Sequence, residues 1–113
     1  MIFAIDADGA IVENAFPKIG KEIPGAIQTM SDLQEGGHKI ILWTVREDPE
    51  LAEFLGFLAT RGFSPDAVNK NIQKFSSSPK VYADIYIDDH SFPRAPTMET
   101  LWETIRIVFL PRA

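Results

Sequence analysis

The run Ile2-Phe3-Ala4-Ile5-Asp6-Ala7-Asp8-Gly9 constrains the fold more than any other stretch of the chain. Its apolar residues, two of them β-branched, predict a buried strand. That strand runs straight into two carboxylates one residue apart and then a glycine. On an extended backbone positions 6 and 8 point the same way, so both acids face one spot at the strand's carboxyl end. Gly9 permits a sharp departure of the backbone. In open α/β sheets ligands bind where the strands end, which makes this acidic pair a candidate site.

The remaining chain supplies the partners such a strand needs. Residues 10 to 23 carry Pro17, Gly20 and scattered charges without a sustained period, and predict a loop or short hairpin. Pro24 suits the first turn of a helix with Ile23, Ile27, Met30 and Leu33 at helical spacing, ended by Gly36-Gly37. Lys39 to Trp43 is a short buried strand ending in Thr44-Val45-Arg46. Asp48-Pro49 predicts a cap with proline at the first helical position, followed by Leu51, Phe54, Leu55 and Leu58 until Gly62. Ala67-Val68 is a short strand running into Asn69-Lys70-Asn71, and residues 73 to 80 read as a polar loop. Ala83 to Ile87 is a strand ending in Asp88-Asp89, with Asp84 at its solvated beginning. The tail fits two periods: Leu101, Ile105, Val108 and Phe109 suit a helix, Ile105, Ile107 and Phe109 a strand. Met98-Glu99-Thr100-Leu101 reads as a first turn and favours a helix from Thr97. Trp43 and Trp102 are expected in the core.

Alternating strands and helices predict an α/β fold, a Rossmann-like three-layer α/β/α arrangement around a mostly parallel sheet. Residues 1–113 are expected to form a single domain, large enough to bury roughly two thirds of its unfolded surface. Parallel strands would gather Asp6 and Asp8, Thr44 and Arg46, and Asp88 and Asp89 on one edge. No cysteine is present, which excludes disulfides, thiolate ligands and cysteine nucleophiles and suits a reducing cytoplasm. The opening lacks the basic region of a signal peptide, and no segment approaches the ~18 apolar residues of a membrane span. A net charge of −5 argues against broad capture of nucleic acid, but not against a phosphorylated substrate bound through a metal.

Gathering those acids requires a divalent cation or a lysine, or leaves some of the acids protonated. Two carboxylates ~5 Å apart at an effective dielectric near 20 repel by roughly 3 kcal/mol, and further acids add pairs of that size. All-oxygen ligands without His or Cys select a hard cation, and a site keeping positions open for water and phosphate suits Mg²⁺ better than Ca²⁺.

The order of strand then Asp6-x-Asp8-Gly9, strand then Thr44, Lys80, and strand then Asp88-Asp89 resembles the four motifs of the haloacid dehalogenase-like hydrolase superfamily, and the likeness spans nearly the whole chain. The fragments Ile41-Leu42-Trp43-Thr44-Val45-Arg46 and Ala83-Asp84-Ile85-Tyr86-Ile87-Asp88-Asp89 resemble small capless bacterial members. The resemblance implies a Mg²⁺-dependent phosphatase in which Asp6 is the nucleophile and Asp8 the general acid and base, with its pKa raised by the surrounding acids. It implies metal ligation by Asp6, the Asp8 carbonyl, Asp88 and Asp89, and phosphoryl contacts from Thr44 and Lys80. Lys70, also after a strand, is the alternative lysine. Arg46 is either a substrate contact or a solvated loop residue, and His90 and His38 read as loop residues.

One position departs from the pattern. Ala10 stands where the superfamily usually carries Thr, removing a hydroxyl that helps order the loop, so reduced or specialised turnover is expected. Too little chain is present for a cap, so the site should be open, or covered by another subunit of a homo-oligomer. Two other readings stay open: a receiver-like phosphoacceptor, which the order of the motifs disfavours, and a metal-binding pseudoenzyme, which Ala10 motivates.

Overall fold

The structure, a computed structural model, describes residues 1–72, 80–90 and 97–111. Strands β1 (Ile2–Asp6), β2 (Lys39–Trp43), β3 (Ala67–Val68) and β4 (Ile85–Ile87) form one parallel sheet in the order β3-β2-β1-β4. Helices α1 (Ala26–Glu35), α2 (Glu50–Thr60) and α3 (Met98–Phe109) complete a Rossmann-like α/β fold without a cap domain among the described residues. The register pairs Asp6 with Trp43 and Ile5 with Ile87, so the three longer strands end side by side.

Chain order decides which face each connection covers. Stepping from β1 to β2 to β3 moves in one direction across the sheet, and right-handed crossovers then put both connecting helices on one face. There Ile27, Met30 and Leu33 of α1, Phe54 and Leu58 of α2, and Trp102 and Ile105 of α3 pack with Phe3, Ile5, Ile40 and Leu42. The return from β3 to β4 crosses to the far side of β1. Ile72, Val81 and Ala83 from that return cover Ala4, Ile41 and Ala67 on the opposite face. The outer layer there is, among the described residues, a connecting segment instead of a helix.

Element ends follow local hydrogen bonding. Gly25, at φ 83°, stands between Pro24 and α1, so Pro24 lies in the preceding turn and not in the helix. Thr97 caps α3 by accepting from the Thr100 amide, which settles the tail as helix, and Arg106 ties it to α1 through Asp32 at 2.8 Å and Thr29 at 3.2 Å. α2 begins at Glu50, one residue beyond Pro49, with the Asp48 carboxylate accepting from Ala52. β4 is two residues shorter than expected. Just ahead of it Ala83 donates to the Tyr86 hydroxyl, and the Asp84 carboxylate accepts the Ile2 amide at 2.7 Å. Asp66 repeats this device before β3: its amide donates to the Ile40 carbonyl and its carboxylate accepts the Ile40 amide at 2.7 Å.

The segment after β1 is the hairpin form of the two expected. Val12 bridges antiparallel to Glu22, and Glu13 and Ile23 donate to Lys21 and Ile11 across the strands. Of the polar loop expected over 73–80, residues 73–79 lie outside the described residues.

Candidate functional site

β1, β2 and β4 deliver polar side chains to the carboxyl edge of the sheet, into an open cleft of about 870 Å³. Asp6, Asp8, Thr44, Asn69, Asp88 and His90 line it. Asp6 is the last residue of β1, and Asp88 and Asp89 directly follow β4. Because β1 and β4 are hydrogen-bonded neighbours, these acids converge: one carboxylate oxygen from each of Asp6, Asp88 and Asp89 lies within 4.8 Å of the others.

The electrostatic consequence falls on Asp6. Burial, then Asp88, and more weakly Asp89 and Asp8, push its carboxyl up to about 7, against the pull of the Ala7 amide it accepts at 3.0 Å. Asp89 is raised as well, first by burial and then by Asp88. Its Oδ1 is buried without a hydrogen-bond partner, and His90 Nε2 stands 3.6 Å from it. A buried carboxylate oxygen with no donor, next to two more carboxylates, is what a cation would complete. The donor set fits a hard divalent ion held by Asp6, Asp88 and Asp89.

Gly9 is part of that arrangement. Its φ of 92° is a left-handed conformation, and a Cβ there would collide with the Asp89 carboxylate. Glycine therefore lets the turn after β1 press against the acid that follows β4.

Asp8 has a different neighbour from the one expected. The Arg46 guanidinium grips it with two bonds, Nε to Oδ2 at 2.8 Å and Nη2 to Oδ1 at 2.7 Å. The carboxyls raised by their surroundings are thus Asp6 and Asp89, while Asp8 faces the Arg46 guanidinium. Arg46 is correspondingly neither a solvated loop residue nor turned outward to a ligand: its side chain is fully buried. It also donates to the Pro17 and Lys18 carbonyls and lies 5.2 Å from the ring centroids of both Phe16 and Phe54. Asp8 raises the Arg46 pKa further above its ordinary value.

Thr44 is fixed from two sides. Its hydroxyl oxygen accepts the Arg46 amide at 3.1 Å, and Asn69 takes its backbone amide at 2.8 Å and returns a bond to its carbonyl at 2.9 Å. Asn69 is the residue sequence reasoning missed. Its signal was present, since it directly follows β3 and Asn is among the few residues that tolerate the φ of 52° found there. Lys80 and Lys70, both exposed, are not among the residues lining the cleft. Trp43, expected in the core, is 40% exposed on the cleft wall.

Ala10 proves to be a buried packing residue. The loop it belongs to is ordered by other bonds: Trp102 Nε1 donates to the Ala10 carbonyl at 2.9 Å, Ile11 and Val12 donate to Ala7, and Gly9 donates to Val12. No described helix is long and apolar enough to cross a membrane.

No family model matches this sequence, and no curated protein does. Among solved structures, a conserved protein from Bacteroides thetaiotaomicron is 38% identical over 95% of this chain and 90% of its own, with a TM-score of 0.83. The D,D-heptose 1,7-bisphosphate phosphatase from B. bronchiseptica, complexed with magnesium and phosphate, is 18% identical over 59% of this chain and 47% of its own, with a TM-score of 0.47, a likeness from which nothing about activity follows.

Proposed function

This chain belongs to the family of the conserved Bacteroides thetaiotaomicron protein, and from its own site we propose that it is a Mg²⁺-dependent phosphomonoester hydrolase of the haloacid dehalogenase-like type. The convergence of Asp6, Asp88 and Asp89 within 4.8 Å, with Asp8 and Thr44 on the same cleft, is the observation that carries this reading. Asp6, Asp88 and Asp89 would hold the metal. When bound, it supplies charge neutralisation for the acids and for the phosphoryl oxygens.

Asp6 attacks phosphorus through a carboxylate oxygen, the ester P–O bond breaks, and an aspartyl phosphate forms on Asp6. Asp8 gives a proton to the departing oxygen and then takes one from the water that cleaves the acyl phosphate. The Arg46 fork leaves a lone pair free on each Asp8 oxygen, so orientation and proton transfer are compatible. Thr44 uses its hydroxyl oxygen as acceptor for Arg46 and keeps its hydrogen to donate to a phosphoryl oxygen. An open cleft admits small or larger phosphorylated substrates.

The test is release of phosphate from a generic aryl phosphate with and without Mg²⁺, for the wild type and Asp6→Asn. Release that requires Mg²⁺ and vanishes in Asp6→Asn is expected. Release indifferent to Mg²⁺ or to the substitution would overturn the proposal.

A further inference from the structure

Three large apolar side chains share the cleft with its charged and polar groups. Trp43, Phe16 and Val45 are 40%, 53% and 91% exposed, and all three line the cleft that holds Asp6, Asp8 and Asp88. Trp43 pairs in register with Asp6. In-register residues of a parallel ladder share a face about 4.8 Å apart, so an aromatic side chain stands beside the attacking carboxylate. Phe16 is anchored as well. Its ring stacks at 5.2 Å on the Arg46 guanidinium, which also holds the carbonyls of Pro17 and Lys18. The residue that grips Asp8 thereby also holds Phe16.

We propose that Phe16, Trp43 and Val45 form a subsite for a planar aromatic group, and that the substrate is an aromatic phosphomonoester whose phosphoryl group lies at the acids while its ring lies against this wall. The subsite rests on the phosphatase reading for its phosphoryl end. Aromatic rings gain from offset or edge-on contact with Trp and Phe, whereas the hydroxyls of a sugar or glycerol phosphate laid on these three side chains would find no partner on them. The cleft volume of about 870 Å³ accommodates a ring system together with a phosphate. A simple aryl group and a nucleobase share this chemistry.

Unreactive ligands separate ring recognition from leaving-group reactivity. Inorganic phosphate, methylphosphonate and phenylphosphonate are titrated into the Mg²⁺-loaded protein by calorimetry and by tryptophan fluorescence. Phenylphosphonate is expected to bind about tenfold more tightly than methylphosphonate. That preference is expected to fall to within about twofold in Trp43→Ala, to weaken in Val45→Ser, and to return in Trp43→Phe. Trp102 is buried, so a ligand-dependent emission change reports Trp43 and disappears in Trp43→Phe. A nucleoside 5′-methylenephosphonate binding more tightly than phenylphosphonate assigns the ring to a nucleobase, and weaker binding assigns it to an aryl group. Equal affinity for methyl- and phenylphosphonate, or a preference unchanged in Trp43→Ala and Val45→Ser, overturns the subsite and leaves the phosphatase reading standing. Failure of all three anions to bind with Mg²⁺ present overturns both.

Discussion

Arg46 holds Asp8 by both carboxylate oxygens, at 2.8 and 2.7 Å, across a sequence separation of 38 residues. A charge pair this buried contributes little against an apolar replacement of both partners, but removing one partner strands the other. Arg46→Met is expected to cost about 3–5 kcal/mol of stability. Arg46→Lys should restore only part of this, because an ammonium cannot form the fork or stack on Phe16 and Phe54. In a cycle with Asp8→Asn, the double variant should lose clearly less than the sum of the singles. Urea unfolding of the four proteins checks this, and additive losses would show that the two residues act independently.

Asp6 opposes folding in order to serve the site. Its carboxyl at about 7 exceeds the 3.8 of an ordinary Asp, so the folded chain binds more protons than the unfolded one between those values. From this group, stability falls as pH rises through that window. Asp6→Asn is therefore expected to raise the melting temperature at pH 7.5 without divalent ions, by roughly 3–8 °C, while abolishing turnover. Mg²⁺ should stabilise the wild type more at pH 8 than at pH 6, where protons compete for the carboxylate, and should do little for Asp6→Asn. Thermal melts at the two pH values with and without Mg²⁺ measure both effects.

Ala10 need not carry a hydroxyl for its loop to be ordered, because the Trp102 indole donates to its carbonyl and its methyl group is buried. A Thr here forces two more heavy atoms into filled space, so Ala10→Thr is expected to destabilise by about 1–3 kcal/mol. Trp102→Phe removes the donor and some volume, with an expected loss of about 2–4 kcal/mol. Because the same loop carries Gly9, which presses against Asp89, Trp102→Phe should also weaken Mg²⁺ binding, measurable by calorimetry. Unchanged metal affinity would mean that the loop is held without this bond.

The fold was legible because its signals are local. Apolar runs of strand length, helical spacing in Ile27-Met30-Leu33 and Leu51-Phe54-Leu58, and a first turn after Thr97 each act within a few residues. Polar groups at strand ends identified which edge to inspect. The arrangement at that edge was less legible, since it depends on pairs distant in sequence: Arg46 with Asp8, Asn69 with Thr44, Trp102 with Ala10. An arginine after a strand looks the same on the page whether it turns to solvent or inward. Trp43 misled for a related reason, because composition marks an apolar residue as core while its place at the last position of β2 leaves it on the cleft wall.

Asp66 and Asp84 clamp the opposite, amino-terminal edge of the sheet, each binding the amide of one residue on the neighbouring strand while donating its own amide to that residue's carbonyl. These bonds set the register of β3 against β2 and of β4 against β1, and through the latter they set Asp88 against Asp6. The Ile2 amide, followed by the Tyr82 hydroxyl, holds the Asp84 carboxyl below its ordinary value. A group depressed in the folded state stabilises above its unfolded pKa of 3.8, and that contribution is lost as pH falls through the folded value. Asp84→Asn should therefore flatten the acid limb of the stability curve below about pH 4, read from urea midpoints between pH 2.5 and 6. Asp66→Ala is expected to cost about 1–2 kcal/mol. Only Asp84→Ala should also reduce Mg²⁺ affinity, because β4 carries two of the three acids and β3 carries none. Equal effects of the two substitutions on the metal would show that strand register at this edge does not reach the site.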